Sequence, residues 1–284
     1  MKILIAGGSG EVGKDLTSFL SRDFKIFSSF RNKKNKNKEA KFIKINFEKK
    51  VSVKIKPNII INCMAAHSYS KKNSFNNYIG SNISAILNLI QFAREKKVKK
   101  IINVSTVSVY ENTKKEIIEK TNFNSDASNL LAVTKSIGEI ILRNSDIDFV
   151  NLRLPGVICS KSKTTSRPWI KNISYKLRNN KKITIYNHNK FFNSLIDTKE
   201  LAKLIKLICF KNVKGTFNLS ASKPIKIKDI IFFLKNFFKS RSKIKIIKDN
   251  IEYSSVISTK ELNQKLKFYP ATVMKILKDN LKNL

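Results

Sequence analysis

The chain has 284 residues, and 57 Lys and Arg against 20 Asp and Glu give a formal net charge of +37. A hydrophobic fraction of 42% excludes wholesale disorder, and eight Gly and five Pro exclude a collagen-like or proline-rich architecture. No apolar stretch approaches the about 20 residues of a membrane span, and Cys63, Cys159 and Cys209 form neither a disulfide framework nor a metal spacing.

In chain order, Lys2 to Ala6 is an apolar run that predicts a buried first strand, too short for a signal-peptide core. Glycines follow, then Val12, Leu16, Phe19 and Leu20 at helical spacing. Lys25 to Phe30, Phe42 to Ile45 and Asn58 to Cys63 predict further strands, the last nearly all apolar, as a strand covered on both faces should be. Arg31 to Lys38 reads as a polar loop. Ile83, Leu87, Ile90 and Phe92–Ala93 ride one long helix, Lys100 to Ser105 is a strand, Leu131 to Leu142 a helix and Phe149 to Leu154 a strand. This alternation predicts an α/β fold: a Rossmann-type, doubly wound parallel sheet with right-handed crossovers.

After Pro155 the pattern loosens. Ser160 to Lys182 is polar and basic around Trp169. Leu195–Ile196 and Thr216 to Leu219 read as strands around a helix at Lys199 to Phe210. Ile230, Phe233, Leu234, Phe237 and Phe238 form a helical core stripe, and Val273 to Leu281 is an amphipathic tail helix. The expected organisation is a Rossmann-type sheet domain over 1–155, with 190–220 returning to it, and a smaller interleaved α/β domain over 156–189 and 221–284. The lysines run through almost every segment beside abundant Asn and Ile, so they read as a solvated surface rather than a nucleic-acid stripe. No specific nucleic acid and no membrane span are expected, and the cysteine usage fits a cytoplasmic protein.

Gly7, Gly10 and Gly13 fall between the first strand and first helix at G-x-x-G-x-x-G spacing. The first supplies a tight turn, the second lets the backbone approach a pyrophosphate, and the third lets helix and strand pack closely. The helix N-terminus adds free N–H groups and a favourable dipole. Glu11 and Val12, inside the loop, join the three glycines as candidate cofactor contacts. The second strand ends Ser28-Ser29-Phe30-Arg31 with Lys33 and Lys34 beyond. No acid is offered there to a ribose 2′-hydroxyl, and Arg31 could grip a 2′-phosphate, so the reading favours NADP, with NAD as the alternative.

These segments resemble the extended short-chain dehydrogenase/reductase family of NAD(P)-dependent sugar-nucleotide epimerases, dehydratases and reductases. The resemblance runs nearly the whole chain, through Pro57 to Ala66, Asn82, Val104-Ser105-Thr106-Val107-Ser108-Val109-Tyr110, Thr134-Lys135-Ser136-Ile137-Gly138-Glu139, Leu152 to Val157, Phe192 to Asp197 and Gly215 to Leu219. It implies Thr106 and Lys135 as catalytic residues. Lys135, Ala65, Ala66 and Asn82 would be cofactor contacts, a nucleotide-linked sugar the substrate, and the protein a homodimer.

The family's chemistry also needs a Tyr four residues before the Lys, and that position is Leu131. A phenol whose pKa is lowered by a lysine cation can carry a proton; leucine cannot. Tyr110 and Lys114 repeat the spelling Y-x-x-x-K but sit at a strand end and in a polar loop. Tyr69, Tyr78, His67 or a water on Ser108 remain as substitutes. His67, Ser108, Arg167 and Lys171 are candidate substrate contacts, the last two for a diphosphate. Glu139 reads as a helix-face charge and Asp197 as ordering the following helix. The expectation is therefore a nucleotide-sugar oxidoreductase, epimerase or dehydratase with an atypical site. The alternative is a catalytically impaired NADP-binding sensor or partner protein.

Overall fold

The computed structural model describes residues 1–32, 40–66, 74–126, 128–247, 254 and 256–283. In chain order it forms β1 (Lys2–Ala6), α1 (Glu11–Leu20), β2 (Lys25–Phe30), β3 (Lys41–Lys44), β4 (Ile59–Asn62), α2 (Phe75–Ile79), a π-helical turn (Gly80–Ser84), α3 (Ala85–Glu95), β5 (Lys100–Thr106), α4 (Leu130–Arg143) and β6 (Phe149–Leu154). Then come β7 (Gly156–Cys159), β8 (Thr164–Thr165), α5 (Pro168–Arg178), β9 (Ile183–Ile185), β10 (Phe191–Phe192), β11 (Leu195–Asp197), α6 (Thr198–Phe210) and β12 (Gly215–Asn218). The chain closes with β13 (Ile225–Lys226), α7 (Ile227–Phe237), β14 (Ile244–Ile246), α8 (Lys260–Leu266) and α9 (Val273–Asn280).

Among the described residues the main sheet has seven strands in the order β12-β6-β5-β4-β1-β2-β3, every neighbouring pair parallel. The strand order reverses between β1 and β4, which opens a crevice at their carboxyl ends. This is the predicted Rossmann-type parallel sheet, with β12 taking the edge beside β6. Alternation along each strand feeds two cores. Ile3, Ile5, Ile59 and Ile61 meet Leu16, Leu20, Leu201 and Leu204 on one face; Leu4, Ile60 and Ile101 meet Ile86, Leu89 and Leu142 on the other.

One row of the sheet is polar. Asn62, Asn103 and Asn151 stand in register on β4, β5 and β6, all buried. Asn62 donates to Asn103 at 2.9 Å, Asn103 to Asn151 at 2.9 Å, and Asn151 to Thr216 on β12 at 3.4 Å. A second buried polar contact ties α1 to the chain after β7: the Asp15 carboxylate accepts from the backbone N–H of Lys161 and Ser162 and from the hydroxyls of Ser162 and Thr198.

The structure departs from the sequence reading in three places. The long helix read through Ile83 to Ala93 is regular α-helix only from Ala85; Ile83 falls in the π turn, which also carries Ser81 and Asn82. The polar stretch after Ser160 contains α5, started by Pro168 at its first turn, where the missing N–H costs nothing. In α7 Phe237 is half exposed, whereas Ile231, outside the predicted stripe, is buried with Ile230 and Leu234. Among the described residues no helix is long and apolar enough to cross a membrane.

Candidate functional site

The turn from β1 into α1 is built by close approach. Gly7 has φ +80°, and a Cβ there would lie 2.9 Å from the backbone N of Met64. A Cβ on Gly13 would lie 2.3 Å from the Gly7 carbonyl oxygen, so no side chain fits between helix and strand. Gly10 donates back to Gly7 at 3.0 Å and precedes α1 without a side-chain cap, which leaves the helix N-terminus open to an anion. The Gly7 N–H is held by the buried Ser29 hydroxyl at 3.0 Å. This cradle, free of a side chain at Gly7, Gly10 and Gly13, fits the pyrophosphate of a dinucleotide.

A cleft runs from this turn over the tips of β2, β3 and β4. Of the predicted residues, Gly7, Gly10, Arg31 and Ala65 line it. Glu11, Val12, Gly13, Ala66 and Asn82 stand around it rather than on its wall: Glu11 is exposed in the first turn of α1 and Val12 packs against the core. Lining residues that sequence reasoning missed are Ser29, Asn46, Phe47, Glu48 and Ser81. One signal was available: Asn46 to Glu48 follow a predicted strand, and the loops after parallel strands converge on the crevice. Arg31 pairs with Glu48, so the acid that β2 does not offer arrives from the loop after β3.

Asn82 organises the middle of the site. Its Oδ1 accepts from the Ala66 N–H at 3.1 Å and its Nδ2 donates to Thr134 at 2.9 Å, joining the loop after β4 to α4. One residue on, Lys135 donates to the carbonyls of Met64 at 3.0 Å and Val104 at 3.1 Å, bridging the tips of β4 and β5 behind the cleft wall. Burial lowers its ammonium to about 8, against the pull of Cys63 and Glu139. The Cys63 thiol is itself pushed up to about 12 by burial. At the end of β5, the Thr106 hydroxyl accepts from the Ser108 N–H at 3.1 Å and pairs with the Ser108 hydroxyl at 3.1 Å. Leu131 lies one helical turn before Lys135, half-buried on α4.

Glu139 is not the helix-face charge that its sequence position suggests. It is fully buried, accepts from Ser105, and pairs through both oxygens with Arg153, the closest contact 2.6 Å. The Arg153 guanidinium lies over the rings of Tyr110 and Phe123, its carbon 4.7 and 5.1 Å from their centroids. Tyr110 donates to Asn218 at 2.6 Å, and burial pushes its phenol up to about 12, which fits a structural tyrosine; Lys114 is exposed.

The remaining candidates are more dispersed. Arg167 lies across Gly156, where a Cβ would meet its Nε at 2.0 Å, and donates to Ser194. Lys171 is exposed on α5, Tyr78 is buried on α2, and Asp197 caps α6 by accepting from the Glu200 N–H at 2.8 Å. His67 and Tyr69 fall outside the described residues, as do Lys33 and Lys34.

A parallel sheet with a glycine turn at its switch point defines the Rossmann-type α/β class. More narrowly, a family model described as the NAD dependent epimerase/dehydratase family matches residues 3–220, and the chain belongs to that family. Among solved structures it is similar to the WbmG enzyme of Bordetella bronchiseptica in complex with NAD: 17% identity, TM-score 0.82, covering 100% of this chain and 93% of that one. It is also similar to a UDP-glucose 4-epimerase of Thermotoga maritima with UDP-glucose, at 16% identity and TM-score 0.79, covering 100% and 98%. A third is a UDP-N-acetylglucosamine 4-epimerase of Methanobrevibacter ruminantium in complex with UDP-N-acetylmuramic acid, at 20% identity and TM-score 0.79, covering 99% and 97%. At these identities the TM-scores establish a shared fold and nothing more. No curated protein matches the chain significantly.

Proposed function

We propose that this chain is an NAD(P)-dependent enzyme acting on a nucleotide-linked sugar, an oxidoreductase, epimerase or dehydratase with an atypical site for proton transfer. The observation that carries this reading is the glycine cradle at the switch point, backed by Lys135 bridging the tips of β4 and β5. The bound coenzyme would supply the hydride acceptor or donor. The open N-terminus of α1 would hold its pyrophosphate, and Ala65, Ala66 and Asn82 would shape the ribose wall. Lys135, in its ammonium form, would donate to the nicotinamide ribose. Thr106 and Ser108 would hold a substrate oxygen, with Arg167 and Lys171 of the smaller domain as diphosphate contacts and His67 as a further substrate contact. The phosphorylated coenzyme is the expectation from Arg31 alone; the choice between NADP and NAD turns on its partner Glu48.

Leu131 occupies the position where the family resemblance calls for a tyrosine, so the proton must pass through another group. That same residue favours a second reading, a dinucleotide-binding sensor or partner protein without turnover. Reduced coenzyme and a panel of nucleotide-linked 4-keto sugars separate the two by loss of nicotinamide absorbance: turnover supports the enzyme, and tight coenzyme binding without turnover supports the sensor. Under the sensor reading Leu131→Tyr creates activity; under the enzyme reading it lowers or leaves unchanged an activity already present.

A further inference from the structure

The adenosine end of the cleft contains an arrangement that the residues of β2 alone do not reveal. Parallel pairing sets Phe30 beside Lys44, and the Ile45 N–H donates to the Phe30 carbonyl at 3.0 Å, so the chain leaving β3 runs past Arg31. This loop is anchored. Phe47 is buried edge-to-face against Phe92, its carbonyl accepts from Asn88 at 2.9 Å, and the Asn46 side chain accepts from the Glu48 N–H at 3.0 Å. Glu48 is thereby delivered into the cleft.

Its carboxylate is held from two sides. Oε1 accepts from Arg31 and, at 3.0 Å, from the Ser81 hydroxyl on the π turn. Gly80 makes room: a Cβ there would lie 3.2 Å from the Glu48 carboxyl carbon. The π turn therefore gives the carboxylate both a donor and a seat. Glu48, Arg31 and Ser81 all line the cleft.

We propose that Glu48 is the coenzyme-selecting residue of this cleft, accepting from the adenosine ribose 2′-hydroxyl and holding Arg31 neutralised, so that the chain prefers NAD(H) to NADP(H). The proposal rests on the dinucleotide reading above and reverses the preference that Arg31 alone suggests. A hydroxyl gains an acceptor from a fixed carboxylate. A 2′-phosphate in the same place meets like charge, and Arg31 can serve it only by leaving Glu48. The selecting acid thus comes from the third strand's exit loop and not from the end of the second.

The test is titration of the full chain with NADH and with NADPH, read by nicotinamide fluorescence and by calorimetry, for the wild type, Glu48→Gln and the double variant Glu48→Gln/Arg31→Ala. Glu48→Gln keeps the side chain's size and removes its charge. An ion pair with partners this exposed (52% and 31%) contributes little to folding, so the variant stays folded. The expected result is wild-type preference for NADH by roughly tenfold or more, and a gain for NADPH of at least about tenfold in Glu48→Gln. That gain disappears in the double variant. A wild type that prefers NADPH, or a Glu48→Gln variant whose NADH-to-NADPH ratio is unchanged, overturns the selector while leaving the dinucleotide reading standing. Failure of all three proteins to bind either coenzyme overturns the dinucleotide reading, and the selector with it.

Discussion

Two Arg–Glu pairs among the described residues share a chemistry and differ in almost everything else. Arg153 and Glu139 are 2% and 0% exposed, doubly bonded and roofed by two aromatic rings; Arg31 and Glu48 lie half in water at the mouth of a cleft. A buried pair gains Coulomb energy only after a large desolvation cost, and its partners cannot part without stranding a charge. An exposed pair gains little and loses little, so a ligand can remodel it. The first therefore acts as a fixed joint between α4 and β6, and the second as a site open to competition.

The sharpest way to break this contrast is to remove one partner of the inner pair. Glu139→Gln or Arg153→Met alone should cost about 3–5 kcal/mol of unfolding free energy, measured by urea denaturation. Replacing both together should restore much of that loss, because no charge is then stranded; a double variant as unstable as the singles would refute the account. Next in size is the cradle. Gly13→Ala places a Cβ against the Gly7 carbonyl and should weaken coenzyme binding on the order of a hundredfold by calorimetry, about 2.7 kcal/mol.

Third is a pH effect at Lys135. Its folded pKa of about 8 lies below the ordinary 10.5, so between those values the unfolded chain holds a proton that the native chain has released. Its contribution to stability therefore rises with pH across that window. Coenzyme binding runs the other way. If the ammonium donates to the ribose, affinity falls above pH 8 by up to about tenfold per unit. Lys135→Arg should flatten that profile. The smallest expected effect is on the outer pair, where Glu48→Gln should shift folding stability by less than about 1 kcal/mol. A shift of several kcal/mol would erase the distinction between the two pairs.

Much of the scaffold was legible because apolar runs at strand and helix periods report burial directly. β1, β2 and β6 have the boundaries read from the sequence, and the glycine spacing located the cradle. The selecting pair was not legible, since Arg31 and Glu48 meet only through the register of β2 on β3 and a loop anchored on Phe92. The π turn was hidden for a related reason: a one-residue widening at Gly80–Ser84 leaves the hydrophobic pattern of Ile83 to Ala93 intact. Glu139 was misread because a charge on a mostly apolar helix defaults to solvent unless its partner is known, and Arg153 lies on another element.

The asparagine row across β4, β5 and β6, ending on Thr216 of β12, bears on how this sheet finds its alignment. Runs such as Ile59–Ile61 and Ile101–Ile102 are greasy on both sides and could slide past one another at little cost. An offset of one residue would leave three amides stranded in hydrocarbon, each short of a partner. Only one setting lets every amide hand its hydrogen to the next strand, so the row works like the single notch on a ruler. It adds little strength and decides where the strand tips end, and with them the height at which Met64 and Val104 meet Lys135.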